Sequence, residues 1–269
     1  MGKMHERTKP MNQDVKIIVS NAVIKRMTAL PAAVQSKGLE FMLKFQTDPH
    51  SPGINYERIQ GAKDKNLRSV RIDQAYRGII FRAPMDNVFV WLHVDTHDDA
   101  YQWASTRKMS VNPVNGALTL TNLNFVEETV QRRAAPAPSE PEPVFTELSD
   151  RDLMAVGVPE EMLPAVRTIR SEGDLDVMRD ELPVEAYEGL FLLLAGDSVS
   201  SILSARETRV DWQIDTDDFA SAADRDESRS RFYVVEGEQD LQAILSAPLE
   251  QWRVFLHPTQ RRLATRTLK

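Results

Sequence analysis

The sequence predicts an α+β protein in which a small antiparallel sheet carrying two helices is followed by a mainly α-helical domain. Three observations predict this. Apolar residues recur with helical spacing over residues 22–45, they alternate in short runs over residues 54–94, and helical spacing returns after a proline-rich stretch at 132–144. Two helices packed on hairpin-linked strands form a common small domain.

The elements follow in order from local signals. DVKIIVS (14–20) is β-prone, and the helical pattern after it is divided by Pro31, which predicts two helices. The next four runs alternate in the manner of strands joined by short connections, and they are INYERIQ (54–60), LRSVRI (67–72), YRGIIF (76–81) and NVFVWLHV (87–94). THDDAYQWA then predicts a helix start, with Thr96 or His97 near the cap and Asp98 and Asp99 in the first turn.

The stretch RRAAPAPSEPEPV at 132–144 predicts an extended linker. We therefore expect an α+β domain over residues 1–131 and a mainly helical region over 145–269. In the second region, a helix is expected to begin at a capping Ser149 and to stop at Gly157. Residues 215–230 are polar and predict a loop, RFYVVEG predicts a strand, and three further helices are expected from residue 238 onwards.

Composition limits the function classes. The chain has 269 residues and no cysteine, which excludes disulfides and thiolate metal sites and fits a reducing cytosol. No run approaches the roughly 20 continuous apolar residues of a membrane span, and the N-terminus lacks the apolar core of a signal peptide. We expect a cytoplasmic protein without a membrane partner.

Charge is distributed unevenly along the chain. Residues 1–110 carry 17 lysines and arginines against 11 acidic residues, a net charge of +6, whereas the remainder carries −13. A basic first half suggests a polyanionic partner such as DNA or RNA. The two halves are also expected to attract one another.

Basic residues cluster on and between the predicted strands, with the aromatic residues Tyr76, Phe81 and Trp91 among them. Such a mixture can hold phosphates by charge and bases by stacking. The alternative is a solvated sheet edge on which lysine and arginine prevent aggregation. The candidate nucleic-acid-binding residues are Arg58, Lys63, Lys65, Arg68, Arg71, Arg77 and Arg82.

Two histidines lie at the end of the last predicted strand. Period-two alternation places Phe89, Trp91, His93 and Asp95 on the face opposite to the valines of the run, and His97 would join them if the strand continued. Two histidines and one carboxylate can bind a divalent metal. If a helix begins at residue 97, this set is not formed, and we therefore expect no metal. Both histidines are then either hydrogen-bonded structural residues or residues of a site that binds no metal.

Residues 14–110 resemble the toxin superfamily that includes RelE and ParE, chiefly over GAKDKNLRSVRIDQAYRGIIFRAPMDNVFVWLHVDTHDDAYQWA. The matching residues are Leu67, Arg68, Arg71, Tyr76, Arg77, Ile80, Phe81, His97 and Tyr101. The resemblance implies a sheet with two helices on one face and, in the RNA-cleaving branch, an open basic face that binds messenger RNA in the ribosome. It also implies metal-free cleavage, in which His93 or His97 supplies acid or base, Tyr101 assists, and arginines face the phosphate.

The second half resembles the region ahead of the motor in a subset of UvrD-like superfamily 1 DNA helicases, over residues 152–196 and 247–266. Leu256, Pro258 and Gln260 fit the setting in which such motors recognise adenine through a glutamine. The phosphate-binding loop GxxxxGK[ST] does not occur in this sequence, so the chain has no ATPase of that type. No cofactor is expected, because ATP and Mg²⁺ would belong only to a complete helicase.

These observations support three hypotheses. The preferred one is a non-catalytic accessory region of a UvrD-like helicase, which binds nucleic acid or a partner through the toxin-like domain and docks on a motor on a longer chain. The second is a ribosome-dependent RNA endonuclease of the toxin type, restrained by the acidic second half. The third is a purely structural interaction module.

Overall fold

The computed structural model describes residues 15–85, 87–133, 141–206, 208, 213–237 and 239–240, and these form an α+β fold around one six-stranded mixed sheet. Up to residue 105 the elements are β1 (Lys16–Ser20), α1 (Asn21–Thr28), α2 (Ala32–Thr47), β2 (Glu57–Arg58), β3 (Leu67–Arg71), β4 (Tyr76–Arg82), β5 (Val88–Thr96) and α3 (His97–Ser105). Pro31 occupies the N-cap of α2, so the predicted break between two helices is confirmed. None of the described helices is long and apolar enough to cross a membrane.

The remaining elements are a hairpin, a group of short helices and one further strand. They are β6 (Arg107–Val111), β7 (Leu118–Asn122), α4 (Leu123–Arg133), α5 (Asp150–Ala155), a 3-10 turn (Glu160–Met162), α6 (Leu163–Val166), α7 (Glu172–Val177), α8 (Val184–Leu194), α9 (Val199–Arg206), α10 (Phe219–Ala223), α11 (Asp226–Arg229) and β8 (Phe232–Val235). The predicted start at Ser149 is confirmed, because its side chain forms a reciprocal capping box with Asp152. Gly157 follows α5 with a φ of 110°, a conformation that glycine adopts without a steric penalty.

The sheet is mixed rather than antiparallel. Its strand order is β2-β3-β4-β5-β1-β8, with β1 parallel to β5 and antiparallel to β8. The chain leaves β1 through two helices and returns to it only after the four-strand meander, so β5 arrives beside β1 in the same direction. The last strand comes from the second half of the sequence, so the predicted strand at 231–237 completes the sheet of the first half.

Both faces of the sheet are buried, which differs from the open face that the toxin resemblance implies. Helices α1 and α2 cover one face, with a core that contains Met27, Phe45, Phe89 and Trp91. The other face is covered by α3, the β6–β7 hairpin and α10, around a core that contains Phe81. The sheet is therefore the middle layer of three within the described part of the chain.

Segment 215–230 contains α10 and α11 instead of the predicted loop. Asp218 caps α10 by accepting the Ser221 N–H at 2.8 Å. Phe219, Ala222 and Ala223 are buried on the sheet. Because these three apolar residues have helical spacing, they fix a short helix within an otherwise polar sequence.

A third core lies among α4–α9 and contains Leu153, Met162 and Ile169. Asn112 in the β6–β7 turn joins this core to the hairpin, because its Nδ2 donates to the carbonyls of Met154 and Val158 at 3.1 Å each. The expected attraction between the two halves is also present as ion pairs, and these are Lys16–Asp224, Lys63–Glu127 and Lys108–Glu161.

Asp64 ties the loop before β3 to the hairpin. This buried carboxylate accepts the N–H of Asn66 at 2.8 Å and the N–H of Met109, in β6, at 3.0 Å. Burial raises its pKa, while the two backbone donors and the nearby Lys108 and Arg68 act in the opposite direction.

Replacing Asp64 by alanine is therefore expected to lower the free energy of unfolding by about 2 to 4 kcal/mol, because two amides lose their acceptor inside the fold. Urea denaturation measures the change. The matched control is Asp73→Ala, since Asp73 also accepts two backbone N–H groups, from Ala75 and Tyr76, at a less buried position. An equal loss of unfolding free energy in both variants would contradict a special stabilising role for the buried hydrogen bonds of Asp64.

Candidate nucleic-acid interface

Three arginines converge at the β2 side of the sheet, and we call them the arginine surface: Arg58, Arg68 and Arg82. The β2–β3 pairing places Arg58 directly opposite Arg68. Arg68 in turn lies opposite Ile80 in β4, two residues before Arg82 and on the same face. Directly paired and diagonal neighbours on one face of a sheet are within reach of long side chains, so the three guanidinium groups share one patch.

The electrostatics of Arg68 are consistent with this placement. The pKa of Arg68 is lowered, first by burial and then by repulsion from Arg58 and Arg82, while the Asp64 carboxylate acts in the opposite direction. Its Nη1 donates to the backbone carbonyls of Leu67, at 2.8 Å, and Lys65. Within the described residues no ion pair neutralises any of the three. The patch is therefore a concentration of positive charge without an ion-pair partner among the described residues, and the buried carboxylate of Asp64 is near enough to Arg68 to offset part of the repulsion.

Aromatic residues pack beneath the arginine side chains, on the sheet side of the patch. The guanidinium of Arg82 lies 5.9 Å from the centre of the Phe89 ring, and Tyr56 and His50 contact the same ring. Tyr56 donates its hydroxyl to the Pro49 carbonyl at 2.8 Å, and burial raises its pKa. This packing fixes the base of the patch, while His50 remains exposed at its margin.

The other predicted basic residues have different surroundings. Lys65 is exposed in the loop that leads into the patch, and Lys63 forms an ion pair with Glu127 at 2.5 Å. Arg77 is buried and donates to the carbonyls of Asp73 and Tyr76, so it has a structural role. Arg71 is exposed at the end of β3.

The residues predicted for catalysis fall into two separate groups. A bulge in the β4–β5 pairing, where Ile79 opposes His93 but Ile80 opposes Trp91, inserts Leu92 as an extra residue. His93 therefore faces α3, where it stacks on Trp103 with ring centres 4.5 Å apart, whereas Trp91 belongs to the core under α2. The prediction of one common face for Phe89, Trp91, His93 and Asp95 is wrong for this reason.

His93 belongs to a charged network at the end of the sheet. Its Nε2 lies 3.6 Å from Asp95, which also accepts both short hydrogen bonds, at 2.6 and 2.7 Å, from Arg26. Burial lowers the pKa of His93 to about 4, against the effect of Asp95. His93 is therefore neutral near pH 7 and is poorly suited to proton transfer there.

His97 and Tyr101 form the second group. Helix α3 begins at His97 with Thr96 at its N-cap and Asp98 and Asp99 in its first turn, as predicted. His97 stacks on Tyr101 at 4.4 Å. Because His97 is on the helix, the metal set with His93 and Asp95 is not formed, and the described residues contain no group of three histidine or carboxylate side chains suited to a metal.

Two residues that were not predicted complete this group. The Tyr101 hydroxyl lies 2.9 Å from the Ser69 Oγ and 3.2 Å from the Glu57 carboxylate. Glu57 and Ser69 are paired across β2 and β3, one position away from the pair Arg58 and Arg68. Alternation along INYERIQ and LRSVRI places Glu57 and Ser69 on the opposite faces of their strands from Arg58 and Arg68. Only the strand register shows that Glu57 and Ser69 meet.

Gln260, the candidate adenine-binding residue, lies outside the described residues, as do the three helices predicted from residue 238 onwards, apart from residues 239 and 240.

The chain matches no protein-family model. The comparison with curated proteins gives no match. Among solved structures, the archaeal RelE–RelB complex from Pyrococcus horikoshii OT3 matches with a TM-score of 0.26 and 23% identity, over 31% of this chain and 94% of that chain. A TM-score this low assigns neither a fold nor a function to the chain.

Proposed function

We propose that the protein binds single-stranded nucleic acid, RNA or DNA, through the phosphates of its backbone at the arginine surface. The observation that carries this proposal is the close placement of Arg58, Arg68 and Arg82 in spite of their mutual repulsion. Like charges at one site cost free energy in the unbound protein, and a polyanion removes that cost. Arginine also presents a planar fork of donors that matches phosphate oxygens.

Two features of the surroundings fit a single strand. The patch is at the β2 edge of the sheet, where β2 contains only Glu57 and Arg58 and one side is unpaired among the described residues. The acidic residues of the second half that form ion pairs with the first half contact lysines, not the arginine surface. The described part of the acidic half therefore leaves the patch accessible to a ligand.

The test is a salt titration of the affinity of the full chain for labelled ten-nucleotide RNA and DNA, by fluorescence anisotropy. Neutralising about three phosphates predicts a slope of log K against log salt on the order of −2 for a single strand. An affinity that does not change with salt, or no binding at low salt, would overturn the proposal.

A role as the accessory region of a helicase remains a prediction from the sequence, because the motifs that suggested it extend beyond the described residues. It requires a motor on a longer chain. Nucleic-acid binding by the arginine surface is compatible with that role but does not depend on it.

A second candidate function, RNA cleavage, is favoured by the contacts of Tyr101. Its hydroxyl is held by Ser69 and Glu57 while its ring stacks on the exposed His97, so a carboxylate, a phenol and an imidazole are adjacent. Successive residues of a strand point to opposite faces, so Glu57 and Arg58 lie on the two sides of the edge strand β2. A strand of RNA that wraps this edge would meet arginines on one side and proton-transfer groups on the other.

If this group cleaves RNA, Tyr101→Phe is expected to reduce the cleavage rate by about 100-fold or more, since acid–base groups contribute that much. The assay follows labelled RNA with and without ribosomes, in the presence of a metal chelator. Tyr187→Phe, in the helical region, is the matched control and should retain the wild-type rate. Absence of cleavage by the unmodified chain under both conditions would remove this candidate.

A further inference from the structure

An open groove of about 490 Å³ lies beyond the arginine surface, between α2 and the β3–β4 turn. It is lined by Lys37, Phe41, Gly53, Asn55, Arg71, Ile72, Asp73 and Gln74. This volume is within the range of small-molecule sites. No residue of the groove was predicted to bind a ligand except Arg71.

The groove combines three kinds of recognition group. Phe41 is half-buried, and its ring is held by edge-on contact with Trp91 at 5.5 Å and by Phe45 at 5.7 Å. Asn55 and Gln74 are exposed amides, and neither forms a side-chain hydrogen bond within the described part of the chain. An aromatic face stacks on a flat heterocycle, and amides match the donors and acceptors on its edge.

Charge in the groove suits a phosphate next to such a ring. Lys37 is paired with Asp73 at 3.3 Å, so these two charges largely cancel. Arg71 is exposed and has no ion-pair partner among the described residues. The net positive charge of the groove therefore comes from Arg71.

The groove and the arginine surface are connected by the same two strands. Arg71 follows Arg68 by three residues in β3, which is about 10 Å along an extended chain. Asn55 precedes Arg58 by three residues on the neighbouring segment. The two sites are therefore about 10 Å apart along β3, although Arg68 and Arg71 project from opposite faces of that strand.

We propose that this groove holds one base of the bound single strand, stacked on Phe41 and hydrogen-bonded by Asn55 and Gln74, with the adjoining phosphate on Arg71. This inference rests on the proposed function and adds a base-binding position to it. Phosphate contacts alone would not distinguish a nucleic acid from another polyanion, whereas a base site does.

The test compares two ligands of equal charge with the full chain: a ten-nucleotide thymidine oligomer and a ten-unit abasic deoxyribose phosphate oligomer. The base-containing oligomer is expected to bind about tenfold more tightly, the contribution of one stacked base. Phe41→Leu, and separately Asn55→Ala with Gln74→Ala, should reduce this ratio toward one while the affinity for the abasic oligomer stays unchanged.

The paired amide variant is on the surface, so it tests the groove even if Phe41→Leu perturbs packing. Asn124→Ala with Gln131→Ala, on α4, is the matched control and should keep the tenfold ratio. Equal affinity of the unmodified chain for both oligomers would overturn the base site and leave phosphate binding intact. Binding of neither oligomer would overturn both proposals.

Discussion

Replacing Arg58, Arg68 and Arg82 together by alanine is expected to weaken the binding of single-stranded RNA or DNA on the order of 100-fold at low salt. This follows if each charged contact contributes about 1 kcal/mol, which is modest for exposed charge-assisted hydrogen bonds. The slope of log K against log salt should also decrease by about 2, because three fewer counterions are released. Fluorescence anisotropy over a range of salt concentrations gives both quantities.

The matched control removes three exposed positive charges from other elements, by changing Lys25 in α1, Arg132 in α4 and Arg179 after α7 to alanine. Both triple variants have the same net charge, so long-range attraction falls equally in the two proteins. An equal loss of affinity in both would show that binding depends on total charge and would contradict a defined surface. The arginine variant should fold, since Arg58 and Arg82 are exposed and Arg68 is only partly buried.

Acidification from pH 7 to pH 4.5 is expected to destabilise the protein through His93 by about 2 to 3 kcal/mol. The pKa of His93 is lowered from 6.5 to about 4 by burial, with smaller effects of the same sign from Arg26 and Arg107. Between these two values the unfolded chain binds a proton that the folded chain does not, so stability falls as pH falls through this window. Asp95, whose pKa is also lowered, contributes only below its ordinary value of 3.8.

Urea denaturation of the unmodified chain and of His93→Gln at pH 7, 5.5 and 4.5 measures this effect. Glutamine keeps a polar group at the position but does not titrate, so the variant should lose about 2 to 3 kcal/mol less stability than the unmodified chain over this range. The same pH dependence in both proteins would contradict the assignment of the proton to His93.

Local signals predicted much of the first half of the fold. Alternation placed β3, β4 and β5 close to their observed bounds, and the residues at 96–99 placed the start of α3. These signals act over a few residues, so sequence spacing alone is sufficient to read them. The same holds for Ser149, whose capping box involves only the first turn of α5.

Long-range pairing was beyond such signals. RFYVVEG predicted a strand, but nothing near it indicates that β8 pairs with β1, about 215 residues earlier in the chain. Part of the cover on the second face of the sheet has the same origin, because α10 is distant in sequence from the strands on which it packs. The parallel neighbours β1 and β5 are a further consequence of that topology.

The candidate site was predicted in part. The basic residues could be listed from the sequence. The three-dimensional structure was needed to show that the arginine surface is exposed and clustered, whereas Lys63 forms an ion pair and Arg77 is buried. A single extra residue at Leu92 reversed the face of His93, and period-two alternation cannot reveal such a bulge.

Photo-crosslinking is the most direct test of binding at the arginine surface, because it identifies the residues that a bound strand contacts. The full chain would be irradiated with a ten-nucleotide RNA containing 4-thiouridine, and the crosslinked peptides would be identified by mass spectrometry. We expect crosslinks concentrated in residues 50–85, around Arg58, Arg68 and Arg82, and their loss in the triple alanine variant. Crosslinks confined to the helical region at 150–206, unchanged in that variant, would contradict binding at the arginine surface.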